Sequence, residues 1–239
     1  MSALVYEHPM RTHFQHIWVI TGPAGCGKTT VCRYLQNDLE VPYLEGDDVC
    51  WKLPLGAFAP PNQLNRKEVQ TTNLRLNTKY HSKSNKDKMS NGVPLTDEDR
   101  WDWLIALRKA AIDVLSPTET NNFHPPIAVV VSCSALKGKY RDVMRVAVYG
   151  SPYIKIHFIY LKLNEEMLMQ RVTQREAHYM KSNMVRFQLQ ALEEPQSEWD
   201  VITINVDGSQ EQVILFAPIS RTGRGQGRVY YWVEHTLVY

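Results

Sequence analysis

Gly22-Pro23-Ala24-Gly25-Cys26-Gly27-Lys28-Thr29 places three glycines, a lysine and a hydroxyl in the order G-x-x-x-x-G-K-[ST]. That spacing suits a polyphosphate. Glycines let consecutive backbone N–H groups turn inward around phosphate oxygens, and a helix that starts there adds its positive end. Lys28 then reaches the β- and γ-phosphates, and the Thr29 hydroxyl is placed to ligate Mg2+. The loop needs a strand before it and a helix behind it. Ile17-Trp18-Val19-Ile20 is a short apolar run, and Val31, Tyr34, Leu35 and Leu39 follow at helical spacing. With both flanks present the octapeptide reads as an ATP-binding loop, with Thr30 completing the nucleotide-binding set.

The loop does not name the acceptor, because switches, motors and metabolite kinases all carry it. No N-K-x-D guanine motif is present, and the third apolar run ends in Ser132-Cys133-Ser134 without an acid. Both features favour the compact metabolite and nucleoside kinases. Asp47 follows the second strand, on the carboxyl edge where parallel sheets gather ligands. A carboxylate there can accept the proton of an attacking hydroxyl, or orient it and steady Mg2+; it can equally be a helix cap. Arg171 and Arg175 lie one helical turn apart, as charge-neutralising arginines or as a solvated helix face.

The elements that must hold these residues are legible in outline. Strands are expected at Ile17 to Ile20, Val41 to Leu44, Ile127 to Val131, Ile154 to Leu161 and Val201 to Val206. A helix is expected from Thr29 to Leu39 and another from Trp101 to Leu115, with Asp97 and Asp99 favouring the positive end of the latter. Strands separated by helices imply an α/β fold, a parallel sheet covered on both faces.

The 239 residues are 44% apolar and 22% charged, which suits one globular domain over residues 1–239. A formal net charge of +2 gives no reason to expect nucleic acid or an anionic membrane as partner. The glycine–arginine stretch from Arg221 to Arg228 could touch nucleic acid, but reads better as a solvated end. Cys26, Cys32, Cys50 and Cys133 lack metal-site spacing and read as reduced thiols, hence a cytoplasmic protein. No signal peptide or membrane span is expected.

Further residues carry a resemblance. After Gly46-Asp47 come His81, Asn85, Lys88-Met89, Gly92, Pro94-Leu95, Asp97, Asp99-Arg100 and Trp103-Leu104. Cys133-Ser134-Ala135-Leu136-Lys137 and Tyr140-Arg141-Asp142 follow, then Arg171, Arg175, His178-Tyr179-Met180, Gln188 and Leu192-Glu193-Glu194-Pro195. Over roughly 17–48 and 80–207 the chain resembles the gluconokinase family. The resemblance implies ATP-dependent phosphorylation of D-gluconate on a fold like that of nucleoside-monophosphate kinases. That fold has a five-stranded parallel sheet, a small lid at about 165–195, and a possible homodimer as its assembly. Carried onto this chain, it implies that Lys28 and Thr29 hold phosphates and Mg2+, and that Asp47 addresses the sugar-acid hydroxyl. His81, Lys88, Arg100 and His178 would line the acceptor pocket, and Lys137 and Arg141 would hold the acceptor or shape its pocket. Arg171 and Arg175 would close over the phosphates.

The chain departs from the family pattern at Val49 to Lys79, which intervenes where the family passes directly to its histidine segment. Gly46-Asp47-Asp48 joined to Tyr80-His81 would restore the pattern, so the insert reads as a retained intron or a gene-model error. Ser82 and Ala177 stand where the family has proline and glycine, and Phe187 replaces a small polar residue. The tail from about 214 to 239 diverges, and the expected final helix at Gln210 to Phe216 is poor. Two rival readings follow: a non-catalytic nucleotide-binding isoform, or a kinase of another sugar acid or a nucleoside.

Overall fold

The first strand, β1 (Gln15–Thr21), is the middle of a five-stranded parallel sheet of order β2-β3-β1-β4-β5. The computed structural model describes residues 14–49, 88, 91, 93, 95–173, 182–207, 220–221 and 230–231. Along this chain β1 is followed by α1 (Lys28–Leu39), β2 (Tyr43–Glu45) and the short α2 (Gly46–Val49). After them come α3 (Asp97–Val114), a 3-10 turn at Glu119–Asn121, β3 (Ala128–Ser132), α4 (Gly138–Tyr149) and β4 (Ile154–Lys162). The span expected as a lid carries α5 (Glu165–Thr173) and α6 (Ser182–Gln190), ahead of β5 (Val201–Asn205). The insert beyond Val49, the final-helix segment and most of the tail lie outside the described residues. In the tail, β6 (Ser220–Arg221) pairs antiparallel with β7 (Tyr230–Tyr231).

The strands read as apolar runs because both faces of the sheet are covered. All of Ala128–Ser132 is buried, and β1 is buried at every position but one. Alternation along β1 sends Ile17 and Val19 into a core shared with α3 and α4. Trp18 and Ile20 go into a second core with α1, α5 and α6. Two observed helices sharpen the sequence reading. α3 starts one turn before Trp101 because Thr96 and Asp99 form a capping box, with Asp97, Glu98 and Asp99 in the first turn. α4 was not anticipated as a separate element; Tyr140, Val143, Met144 and Ala147 give it an apolar stripe.

Among the described residues no helix is long and apolar enough to cross a membrane. Cys26, Cys32 and Cys133 are buried free thiols.

Candidate active site

The glycine-rich loop bridges β1 and α1 at the carboxyl edge of the sheet. Gly22, Gly25 and Gly27 have φ of 142°, 90° and 103°, a region that strains any residue with a Cβ. At Gly25 space is short as well. A Cβ there would sit 2.7 Å from Val172 Cγ2, so α5 packs on the loop's own backbone. The start of the loop is tied to the exit of β3, because Thr21 Oγ1 and the Gly22 N–H both donate to the Ser134 carbonyl. Lys28 Nζ donates to the Gly22 and Pro23 carbonyls, each at 2.9 Å, and so stands over the loop. Among these residues burial pushes the Cys26 thiol up, so it stays protonated inside the loop.

Beside the loop, β2 supplies an acid that the sequence reading left without a role. Glu45 Oε2 accepts from Thr29 Oγ1 at 3.0 Å and from the Tyr43 phenol. Glu45 pairs in register with Ser132, the last residue of β3. The strand end next to the loop thus gains its carboxylate from its neighbour. The signal for it was the absence of an acid after β3, combined with an acid one strand over. A hydroxyl and a carboxylate that share a hydrogen bond fit Mg2+, which prefers oxygen ligands and keeps several waters. Among the described residues no group of three His, Cys, Asp or Glu gathers to hold a metal by itself.

One residue beyond Glu45 the backbone is clamped. A Cβ on Gly46 would run into the Ser132 carbonyl and the Trp103 ring, so only glycine fits. Trp103 on α3 donates its indole N–H to the Gly46 carbonyl at 2.8 Å. Asp47 follows directly and is exposed. Trp103→Phe keeps the ring but removes the donor. It is expected to lower turnover about tenfold through misplacement of Asp47, with less than about 2 kcal/mol lost in urea unfolding.

Lys28, Asp47 and Arg100 converge on the end of β3. The Cys133 thiol there is pushed up to about 12 by burial, and the charges of all three residues act on it. Arg100 also lies over the Tyr140 ring at 5.7 Å, and Lys137 Nζ faces the same ring at 5.6 Å. Asp97 binds Lys137, Lys139 and the Tyr140 hydroxyl. Hydrogen bonds from Lys139, Tyr140 and Lys137 hold its carboxyl below the usual carboxylate range. Lys88 pairs with Asp99 at 2.7 Å, one helical position from Arg100. The result is a basic wall beside the exit of β3, carried by α3 and the start of α4.

Arg141 does something else. It is 2% exposed, and its guanidinium donates to the Ala135, Leu136 and Glu193 carbonyls and to both Glu198 oxygens. All five N–H donors are engaged. Of the two roles the resemblance leaves open, the geometry fits shaping the pocket. Ala135 sits at φ 36°, so the guanidinium fixes a strained turn at the exit of β3. Arg145 extends the hub through Asp200, Glu198 and Asp142.

Arg171 Nη2 donates to the Val206 carbonyl at 3.0 Å, and its charge, like that of Lys28, acts on the Cys26 thiol inside the loop. His81, Arg175 and His178 lie outside the described residues.

A family model described as an AAA domain matches residues 19–189. The chain is 36% identical over 206 residues to a probable gluconokinase of Schizosaccharomyces pombe, covering 86% of this chain and 87% of that one. It is 31% identical to the thermoresistant gluconokinase of Escherichia coli, covering 84% and 91%. Among solved structures it is similar to a gluconokinase from Sinorhizobium meliloti, at a TM-score of 0.58 and 28% identity, covering 85% and 89%. With the loop, the five-stranded sheet and the basic wall in place, this chain belongs to the gluconokinase family of P-loop kinases.

Proposed function

We propose that the chain transfers the γ-phosphoryl group of ATP to the 6-hydroxyl of D-gluconate. The observation that carries this reading is the clamped Glu45-Gly46-Asp47 edge, joined to the phosphate loop through the Thr29–Glu45 hydrogen bond and, through Trp103, to α3, the helix that carries Arg100. Gluconate is a polyol with one carboxylate, so its site calls for fixed cations and several hydrogen-bond partners.

In this reading the loop amides and Lys28 hold the β- and γ-phosphates, and Lys28 exchanges its bonds to the Gly22 and Pro23 carbonyls for phosphate oxygens. Asp47 accepts the hydroxyl proton as the sugar oxygen bonds to the γ-phosphorus. The bond from that phosphorus to the β–γ bridging oxygen breaks, and ADP leaves. Arg100 and Lys137 attract the carboxylate end, which fixes the far hydroxyl toward Asp47. Thr29 and Glu45 are the residues that would hold Mg2+, the hydroxyl directly and the carboxylate through water; bound there, the ion would neutralise charge on the β- and γ-phosphates. Arg171 belongs on the nucleotide side, and Arg175 on the segment that follows it.

The test is ADP release with Mg-ATP across D-gluconate, other sugar acids, shikimate and nucleosides. Turnover with gluconate at least tenfold above every other acceptor is the expected result; equal turnover with another acceptor would displace the reading. For the metal, Glu45→Gln keeps the size of the side chain and removes its charge. The Mg2+ concentration for half-maximal turnover should rise by about 10–100-fold, as outer-shell losses do. An unchanged Mg2+ titration would take Glu45 out of the metal's surroundings.

A further inference from the structure

The loop's backbone has one partner that phosphate binding does not explain. The Ala24 N–H donates at 2.7 Å to Oε1 of Gln188, a side chain from α6 lying 164 residues away in sequence. Gln188 is 7% exposed, so this is a buried polar group with a specific task. An amide that donates to α6 is turned away from the side where phosphate oxygens would sit. The preceding Pro23 has no N–H to offer. The following Gly25 leans on Val172 and Leu168 of α5. The outer wall of the loop therefore rests on two helices. The apolar contact with α5 sets its distance, and the Gln188 bond sets the rotation of the 23–24 peptide.

The same helix leads to the acceptor side. Two residues past α6's end, the chain reaches Leu192 and Glu193. The Glu193 N–H donates to the Leu136 carbonyl at 2.8 Å, and Glu193 Oε2 accepts from the Gly138 N–H at 2.6 Å. That turn carries Lys137. A short stretch of chain, 188–193, thus grips the nucleotide loop at one end and the basic wall at the other.

We propose that Gln188 is a positioning residue for nucleotide binding, holding the phosphate loop in its receiving shape and tying that shape to the placement of α6. The proposal rests on the kinase reading only for its kinetic arm. In Gln188→Met the Ala24 N–H loses its acceptor while the side-chain volume is kept. A buried donor without a partner drives the peptide toward other rotations, and the receptive fraction of the loop falls. Nucleotide affinity should weaken in proportion, by about five- to tenfold.

Three measurements test this. ADP binding by titration calorimetry, which needs no acceptor, should show the five- to tenfold loss in Gln188→Met. In turnover assays the KM for ATP should rise by the same factor, with kcat and the KM for gluconate within about twofold. A purely structural role would instead lower the melting temperature and the active fraction and leave ADP affinity unchanged. In the unaltered enzyme, hydrogen exchange should find the Ala24 amide protected without nucleotide, and that arm decides alone if the variant does not fold. ADP affinity within twofold of the parent, or rapid exchange at Ala24, would overturn the proposal. Absent gluconate turnover with normal ADP binding would instead count against the proposed reaction and leave Gln188 to be judged by the other two arms.

Discussion

Asp47→Asn is expected to reduce gluconate-dependent ADP release by about 10²–10⁴-fold, the range in which a positioned proton acceptor contributes. The substitution keeps size and hydrogen-bonding shape, so the clamp formed by Gly46 and Trp103 should survive it. ATP binding should change little, because the loop and Lys28 lie between β1 and α1, two strands away from β2, and keep their own contacts. The informative outcome is therefore a split: kcat collapses while nucleotide affinity stays within about twofold. If kcat fell by less than tenfold, Asp47 would be a first-turn residue of α2, favoured there by the helix's positive end.

Arg141→Met should cost about 3–5 kcal/mol of stability, the range seen when one partner of a buried ion pair is removed. Three backbone carbonyls, those of Ala135, Leu136 and Glu193, lose a charged donor at once. Glu198 keeps Arg145, which limits the damage on the acidic side. For a chain of this size the loss corresponds to roughly 10 °C in melting temperature. Thermal and urea unfolding read it directly, with Arg141→Lys as a companion that keeps charge but lacks the planar fork. A melting point within 2 °C of the parent for both variants would mean the hub is incidental, and would return Arg141 to the acceptor pocket.

The phosphate loop was legible because it is contiguous: eight residues state their own chemistry, and the strand and helix beside them state their geometry. The five strands were legible for a similar reason, since burial on both faces writes an uninterrupted apolar run such as Ala128–Ser132. The acid beside Thr29 was not. Glu45 gains its role only when β2 is laid against β3, and strand order is not written in either strand alone. The Arg141 hub was further out of reach, because Glu198 and Asp200 arrive from more than fifty residues away. Sequence resemblance could single out Arg141 but could not say which way its guanidinium faces. Gln188 had the same defect in milder form: it belonged to a motif, while its partner is a backbone amide, which no side-chain pattern records.

One strand carries both halves of the reaction. In β1, Ile17 and Val19 belong to the core shared with α3, which carries Arg100, and α4, which starts just after Lys137. Trp18 and Ile20 belong to the core shared with Cys26 of the phosphate loop and with α1, α5 and α6. Damage to this strand therefore has an address. A substitution that loosens one parity of residues disturbs the seat of the sugar acid, and its immediate neighbour in sequence disturbs the seat of the nucleotide. Two adjacent codons thus report on two different ligands, because their side chains belong to separate cores.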